Sequence, residues 1–366
     1  MALRTFDPDA FLQNWCEDLV PAEDRPFSEC IRTAFKLPKN DTYVYRAQGA
    51  TTLDITQKAI DGKRANGLHD WYHDDDGKSR SASHPTPAET ALYTKLFNAS
   101  TALPSALKNL TSNAKSTSLL APISTHLTSR FHNPTPGLLA TKSKPARTHT
   151  NPYLDLWAYS CRELEWAGPW PNTRHTKVAH HILPIFYHHF ACVVPSYAAL
   201  SVLARLAQPA KPSAQPIRPI LDIGSGTGYW TFLLRSLPLD PGMKPLDVRA
   251  IDNQISEYRV MWVQDTLNED GAKYLGKIEG GKGCVLLLVY PQATGHFTST
   301  VMKAFRGDTI VVAGTQTGNG FTGFQDCIVD EWVEKNLAEF ELALRMPLPS
   351  FAGKDEALFV WQRRKT

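Results

Sequence analysis

The chain of 366 residues is 42% hydrophobic and 20% charged, and its 39 basic and 36 acidic side chains give a net charge of +3. This length allows two domains, or one domain with a large extension. The small net charge gives no argument for nucleic acid as a partner, and no apolar run reaches the ~18 residues that indicate a membrane span.

The first residues lack the apolar core of a signal peptide. The six cysteines are scattered and include no C-x-x-C pair, which is typical of free thiols in a reducing compartment. We therefore expect a cytoplasmic protein, with the nucleus as an alternative. We expect no membrane partner, and nucleic acid is the disfavoured partner.

Short helical patterns separated by turns fill the first part of the chain. Asp7 can cap a helix whose first turn holds Pro8, and apolar residues follow on one face. A second helical pattern runs over 27–35, and a third follows Thr51. We therefore expect a mainly helical N-terminal region over 1–150 that ends in a linker rich in Ser, Thr and Pro.

A cluster of histidines and aspartates over 69–78 invites interpretation as a metal site. His69 and His73 would share one face of a helix. The calcium-loop template fails, because with Gly77 at its sixth position the first ligand would be Tyr72. We favour a solvated acidic turn that ends at Gly77, and we predict no metal site.

The stretch over 101–150 is rich in serine and threonine and has no acidic residue. Leucines at helical spacing allow short helices there, whereas 141–150 has the composition of a linker. The alternatives are a surface that contacts a phosphate-bearing partner and a mobile surface segment. We favour the second, because no aromatic side chains interleave with the clustered basic residues Lys142, Lys144 and Arg147.

Aromatic helices are predicted over 151–214. We expect helices over 151–166 and 195–207 that pack on the catalytic domain or cap it. The aromatic side chains here belong to the core or, alternatively, to the wall of a substrate pocket. A Pro-rich linker over 209–213 marks the boundary with a domain over 215–366.

Four histidines between these two helices resemble a set of metal ligands. They are His180, His181, His188 and His189. Pro184 lies between the two pairs, and we expect it to break the helix there. No carboxylate or cysteine lies among them, so we interpret them as packing and helix-surface residues.

The most informative stretch begins with a short apolar strand over 220–223. Three glycines follow it at alternate positions: Gly224, Gly226 and Gly228. Glycines permit a sharp turn and a close approach of a ligand, and open α/β sheets bind nucleotides at such turns. The dinucleotide fingerprint needs a third glycine where this chain has Tyr229. Asp222 at the strand end repels a pyrophosphate but suits a ligand with an ammonium group and a cationic sulfur.

This acidic-x-G-x-G-x-G pattern resembles motif I of the class I S-adenosylmethionine (SAM) methyltransferases. The resemblance implies SAM as the cofactor, bound by the residues of the turn: Asp222, Gly224, Ser225, Gly226, Thr227 and Gly228. A second strand over 247–252 ends in Asp252, and in the family that this resembles such an acid holds both ribose hydroxyls. By the same resemblance, Asn253 borders the adenine and Asp265 lies near its amino group.

Further strand patterns complete a sheet after the glycine turn. They are predicted over 258–263, 284–290, 309–313, 340–346 and 357–363, with helices over 297–305 and 326–337. The loop over 314–323 is expected to lie over the pocket. The last two strands resemble the antiparallel hairpin that distinguishes the methyltransferase sheet from dinucleotide-binding folds. The resemblance covers about residues 216–364 and implies an α/β, Rossmann-like sheet of seven mostly parallel strands.

The implied activity is SAM-dependent methyl transfer, which mainly needs the acceptor, methyl and sulfur to be aligned. The candidate catalytic residues follow the fourth strand of the sheet: Tyr290, Gln292 and His296. Tyr290 is expected to line the methyl pocket and His296 to act as a base, with a structural role as the alternative for each. The family's amino-methylating members carry Asp or Asn, Pro, Pro and an aromatic here, whereas this chain has Val289-Tyr290-Pro291-Gln292. This departure disfavours nucleobases and glutamine amides, so the favoured acceptor is an unidentified small molecule or protein.

Two other interpretations stay open. The first is another nucleotide-cofactor enzyme on the same scaffold, such as a dehydrogenase or an aminopropyl transferase. Tyr229 and Asp222 oppose the dehydrogenase, and paired acids after the fourth strand are missing for the aminopropyl transferase. The second is a non-catalytic binding protein with this fold, because no acceptor motif is recognisable. The sequence indicates no oligomeric state.

Overall fold

The structure is a computed structural model that describes residues 2–47, 49–63, 65, 70–80, 84–176, 180–209, 215–317 and 322–364. Among these residues, no helix combines the length and apolar character needed to cross a membrane.

Helices are the main regular elements of the described chain before residue 209. They are α1 (Pro8–Gln13), α2 (Phe27–Ala34), α3 (Leu53–Asp61), α4 (Pro87–Lys95), α5 (Leu103–Asn113), α6 (Leu120–Arg130), α7 (Pro152–Glu163), α8 (Ile182–His189) and α9 (Tyr197–Ala207). A small hairpin of β1 (Tyr45–Arg46) and β2 (Ala50–Thr51) lies between α2 and α3. The predicted cap of α1 is confirmed, because the Asp7 carboxylate accepts the Ala10 N–H at 3.1 Å.

The strands after residue 215 form one seven-stranded sheet. They are β3 (Ile220–Ile223), β4 (Val248–Asp252), β5 (Leu267–Asn268), β6 (Val285–Val289), β7 (Thr309–Thr315), β8 (Phe340–Pro347) and β9 (Glu356–Arg363). Their order is β5-β4-β3-β6-β7-β9-β8, and β9 runs antiparallel to both of its neighbours while the other pairings are parallel. The helices that connect them are α10 (Tyr229–Arg235), α11 (Gly271–Lys277), α12 (Phe297–Ala304) and α13 (Val329–Asn336). The predicted methyltransferase sheet, with its antiparallel C-terminal hairpin, is confirmed.

The two faces of the sheet are covered by different parts of the chain. Successive residues along β6 face opposite sides of the sheet. Leu287 belongs to one cluster of buried side chains and Leu288 to a second, separate cluster. The first cluster joins one face of the sheet to α10 and to the helices of the N-terminal region, and the second joins the other face to α11, α12 and α13. The N-terminal region therefore packs directly on the sheet. The predicted domain limits at 150 and 214 stay a prediction, and most of the predicted linker over 209–213 lies outside the described residues.

The prediction of a third strand over 258–263 is wrong. This segment is irregular, and the strand that pairs with β4 is the short β5. Its backbone bonds elsewhere: the Arg259 N–H donates to the His188 carbonyl at 3.0 Å and the Trp262 N–H to the Thr227 carbonyl at 2.8 Å. The Trp262 indole also donates to the His189 carbonyl at 2.7 Å. The 258–263 segment is therefore a loop that hydrogen bonds attach to the end of α8.

Pro184 does not break a helix, contrary to the prediction. It is the third residue of α8, which continues unbroken to His189. A proline in the first helical turn costs no hydrogen bond, because the N–H groups of that turn have no partner within the helix. His180, His188 and His189 are buried, as packing residues are, whereas His181 is exposed.

The basic residues of the predicted 141–150 linker contact the rest of the protein. The Lys144 ammonium and the Arg147 guanidinium each lie 3.0 Å from the Asp240 carboxylate, which also binds Arg205 at 3.2 Å. The Arg147 guanidinium stacks on the Tyr197 ring, 4.6 Å from its centroid. Irregular backbone is thus present as predicted, but two of its three clustered cations are bound to a carboxylate of this chain.

The candidate metal site over 69–78 shows no cluster of metal ligands among its described residues. His69 lies outside the described residues, and the His73 imidazole lies 3.3 Å from the Thr176 hydroxyl. Across the part of the chain that the structure describes, no three His, Cys, Asp or Glu side chains are grouped around one point. The six cysteines are free.

Two glycines of α11 give a stability prediction with a built-in control. A Cβ at Gly271 would lie 2.2 Å from Cγ2 of Ile223 in β3, whereas a Cβ at Gly276 would meet nothing within 4 Å. We expect Gly271→Ala to lower the free energy of unfolding by about 1–3 kcal/mol, because it overpacks the contact between helix and sheet. Gly276→Ala should raise it by about 0.5–1 kcal/mol through helix propensity. Urea denaturation of the two variants measures both, and equal effects would contradict the packing argument.

Candidate cofactor site

The glycine turn connects β3 to α10 at the carboxyl edge of the sheet. All three glycines have positive φ angles: 77° at Gly224, 58° at Gly226 and 79° at Gly228. The turn is fixed to β4, because the N–H groups of Gly224 and Ser225 both donate to the Ile251 carbonyl, at 2.7 and 3.2 Å. Residues with a side chain rarely adopt such positive φ angles, which explains why glycine occupies these three alternate positions.

Aromatic side chains stand over two of these glycines. A Cβ at Gly224 would lie 3.2 Å from the Phe297 ring, and a Cβ at Gly226 would lie 3.0 Å from the Tyr258 hydroxyl. Gly228 faces inward instead, because a Cβ there would lie 2.4 Å from Cγ2 of Val263. Gly226 and Tyr258 both line the cavity beside Asp252.

Asp222 lies beneath the turn and is fully buried. Its Oδ2 accepts a hydrogen bond from the Thr231 hydroxyl at 2.7 Å, and its Oδ1 has no partner. Burial raises the pKa of this carboxyl to about 7, against the opposing effect of the Thr231 bond and with a smaller contribution from the charge of Asp252. Asp222 therefore supports the turn from below and takes up a proton near neutral pH.

Asp252 ends β4 and joins the turn to a cavity. One carboxylate oxygen accepts the Gly226 N–H at 2.9 Å, and the other accepts the Gln254 N–H at 2.6 Å. A carboxylate oxygen has two lone pairs, so each keeps one acceptor position. The cavity beside it measures about 260 Å³ and is lined by Ala2, Gly226, Asp252, Gln254, Ser256, Glu257, Tyr258 and Met261. This volume lies just below the range of ~300–1,000 Å³ that is typical of ligand clefts.

The N-terminal segment borders the same cavity. The Leu3 N–H donates to the Arg259 carbonyl at 2.8 Å, which places Ala2 in the cavity wall. The Arg259 guanidinium bonds to Asp41 at 2.6 Å, with both side chains almost fully buried, and it stacks 4.3 Å from the Tyr43 ring centroid. The irregular 253–263 segment is therefore fixed from one side by the N-terminal region.

Four predicted cofactor residues differ in what their side chains do. The Thr227 hydroxyl bonds to the Phe190 carbonyl inside the core, and the Ser225 hydroxyl is buried without a partner. Asn253 is exposed beside the cavity, and its side chain accepts the Ile255 N–H at 3.3 Å. Asp265 lies elsewhere: its carboxylate pairs with Arg235 at 2.8 Å, and the same guanidinium donates to the Val248 carbonyl at the amino end of β4. The structure therefore does not bring Asp265 to the carboxyl edge where the other residues meet.

The three catalytic candidates do not form one group. Tyr290 is half-buried with φ 48°, and its hydroxyl accepts a hydrogen bond from the Lys354 ammonium at 3.2 Å. Burial raises the pKa of Tyr290, and the charge of Lys354 opposes this. Gln292 and His296 are exposed. His296 precedes α12, and its carbonyl accepts the Ser299 hydroxyl at 3.1 Å. Tyr290 is thus the candidate with a polar partner near the sheet edge.

Much of the cavity wall carries no signal in the amino-acid sequence. Gln254, Ser256, Glu257 and Met261 line it, but no local pattern marks them. The sequence predicts a strand at Tyr258, whereas the Tyr258 hydroxyl of the irregular segment lies 3.0 Å from the position of a Cβ at Gly226. Part of the loop over 314–323 lies outside the described residues, and Gln316 in its described part bonds to Asp355 at 2.8 Å.

No protein-family model matches the chain, and no curated protein matches it. A solved structure that is similar is 1,6-didemethyltoxoflavin-N1-methyltransferase from Burkholderia thailandensis, with bound 1,6-didemethyltoxoflavin and S-adenosylhomocysteine. The likeness covers 45% of this chain and 76% of that chain, with 13% sequence identity and a TM-score of 0.25. At this level the likeness carries no argument about activity.

Proposed function

We propose that the chain is a SAM-dependent methyltransferase. The observation that carries the proposal is the junction of Asp252 with the Gly226 amide beside the cavity, at the carboxyl edge of a methyltransferase sheet. The free acceptor positions on the two oxygens of Asp252 suit a vicinal diol such as a ribose. Gly224 and Gly226 of the turn, together with Asn253 next to Asp252, would border the remainder of the cofactor.

The residues present fit this cofactor better than a dinucleotide. Tyr229, which replaces the third glycine of the dinucleotide fingerprint, is fully buried and its hydroxyl bonds to Asn151 at 2.8 Å. The chain therefore lacks the glycine that, in dinucleotide-binding folds, lets the helix pack closely against the strand. When bound, SAM supplies a methyl group on a positively charged sulfur. The chain's part is to hold the nucleoside, align the acceptor and exclude water.

Calorimetry with SAM and with NAD tests the cofactor assignment. We expect SAM to bind and NAD not to bind. Incubation with methyl-labelled SAM and cell extract, split into protein, RNA and small-molecule fractions, then tests transfer. SAM binding without label in any fraction would favour the non-catalytic binding protein, and binding of NAD alone would refute the proposal.

Asp252→Ala should weaken SAM binding by roughly 1.5–3 kcal/mol, the scale of hydrogen bonds to a charged group. The substitution removes both acceptor positions and frees the Gly226 and Gln254 amides. Asp247→Ala is a matched control, because this carboxylate precedes the opposite end of the same strand and pairs with Arg249 at 2.6 Å. Calorimetric titration of both variants is the measurement. Equal SAM affinity in the two would contradict the assignment of the ribose site.

A further inference from the structure

A second group of polar side chains lies at the carboxyl edge of the sheet, apart from the cavity at Asp252. We name it the Lys354 cluster, and its members are His180, Tyr187, Tyr290, Lys354 and Glu356. The rings of Tyr187 and Tyr290 lie 6.0 Å apart, and the Lys354 ammonium donates to the Tyr290 hydroxyl at 3.2 Å. Tyr290 is one of the predicted catalytic residues, and the other four members are not among the residues of the cofactor site.

Four members of the cluster are buried, and three of these four carry polar atoms without partners. Lys354 is 5% exposed, Tyr187 7%, His180 1% and Glu356 0%. Both ring nitrogens of His180, the Tyr187 hydroxyl and Oε1 of Glu356 make no hydrogen bond. Buried polar groups normally have hydrogen-bond partners. Several unpaired groups in one place therefore mark a position where a ligand could supply the missing hydrogen bonds.

The sheet register places the cluster beside the proposed cofactor site. β6 pairs with β3, which ends at the glycine turn, and Tyr290 directly follows β6. Glu356 begins β9 opposite Thr315 at the end of β7, at the same edge of the sheet. Burial raises the pKa of the Cys192 thiol to about 12 while the charge of Lys354 opposes this, and the Cys192 charge in turn raises the pKa of Tyr258. Cys192 is therefore close enough to interact electrostatically with both Lys354 and Tyr258.

The charge of the cluster is unbalanced. Among the described residues, no carboxylate oxygen lies within 4.0 Å of the Lys354 ammonium. The neighbouring Asp355 carboxylate instead bonds to His126 and to Gln316, each at 2.8 Å. Burial raises the pKa of Glu356, and the charge of Lys354 opposes this. A buried cation without a paired anion is costly, and an anionic ligand would offset that cost.

We propose that the Lys354 cluster is the acceptor subsite, and that it takes a small molecule bearing a carboxylate or another ionised oxygen. The Lys354 ammonium and the Tyr187 hydroxyl would donate to that oxygen, while Tyr187, Tyr290 and Phe351 provide apolar walls. Phe351 lies 6.4 Å from the Tyr187 ring and 5.8 Å from the His180 ring. A side chain on the surface of a folded protein reaches such a buried ammonium less readily than a small molecule does. The identification of the ligand as a methyl acceptor rests on the proposed function, whereas the anion site itself does not.

The test compares small carboxylates with their uncharged amides on the full chain. Calorimetry or ligand-observed NMR is carried out with acetate and benzoate, and with acetamide and benzamide. We expect a carboxylate to bind and its amide to bind roughly tenfold to hundredfold more weakly, the scale of one charge-assisted hydrogen bond. Binding of neither carboxylate, or equal binding of acid and amide, would overturn the proposal.

Lys354→Met should lower carboxylate affinity by a similar factor and leave SAM affinity unchanged. Lys354→Arg should retain carboxylate binding, and Lys282→Met, at an exposed position, is the surface control. If Lys354→Met does not fold, Lys354→Gln replaces it and keeps a donor without the charge. Carboxylate binding that survives loss of the Lys354 charge would refute the site. Selective carboxylate binding in a chain that does not bind SAM would refute only the proposed function.

Discussion

Gly226→Val should abolish SAM binding and leave the chain folded. The new side chain would point at the Tyr258 hydroxyl, 3.0 Å from its Cβ, and would fill the approach to the Gly226 amide beside Asp252. A β-branched residue at φ 58° is also strained, so we expect the free energy of unfolding to fall by about 1–3 kcal/mol. Calorimetric titration with SAM measures the loss of binding, and circular dichroism with urea denaturation measures the fold.

Gly276→Val is the matched control for this substitution. Gly276 lies in α11, where a Cβ meets no atom within 4 Å. This variant should bind SAM as the natural chain does. SAM binding that persists in Gly226→Val would place the cofactor elsewhere and refute the proposed cofactor site.

Asp222→Asn should make the protein more stable above neutral pH. The folded-state pKa of Asp222 is raised to about 7 by burial, from an ordinary value of 3.8. The folded chain therefore retains a proton that the unfolded chain releases. This contribution to stability is complete below about pH 4 and is lost as the pH rises through 7. Its size is on the order of a few kcal/mol, because the group is fully buried and a pKa shift of one unit corresponds to 1.36 kcal/mol.

The measurement is the free energy of unfolding of both proteins across pH 4–8. The difference between them isolates Asp222 from Glu356, whose raised pKa of about 8 acts in an overlapping range. We expect the two proteins to be similar near pH 4 and the Asn variant to gain on the natural chain up to pH 8. A difference that does not change with pH would show that Asp222 stays ionised when buried.

The two proposed sites would divide the work of methyl transfer between neighbouring strands. β3 and β4 end at the glycine turn and Asp252, which would hold the nucleoside. β6, β7 and β9 meet at Tyr290, Gln316 and Glu356, and Lys354 lies among these residues. Because these strands are adjacent in one sheet, two ligands held at its carboxyl edge would lie side by side, as an in-line displacement requires.

The sequence by itself determined the elements whose local patterns are strong. β6 is an unbroken apolar run because both faces of a central parallel strand are buried, and the alternate glycines after β3 allow a turn with positive φ angles. The alternation of such elements, with two strands at the end, resembles the methyltransferase family and thereby predicted a seven-stranded, mostly parallel sheet with an antiparallel C-terminal hairpin. The position of Asp252 at the sheet edge could be predicted as well, because Asp252 is the last residue of a strand pattern.

Only the tertiary structure decided what the apolar and charged loop residues do. The 258–263 segment has the composition of a strand, but its tryptophan and arginine bond to the end of α8, far away in sequence. Pro184 belongs to a first turn because of where α8 begins, which the helical period alone does not fix. Lys354 and Glu356 read as an ordinary charged turn, and their burial comes from the N-terminal helices that cover this face of the sheet. Local patterns report backbone propensity and alternation, whereas burial and charge pairing depend on which distant segments pack together.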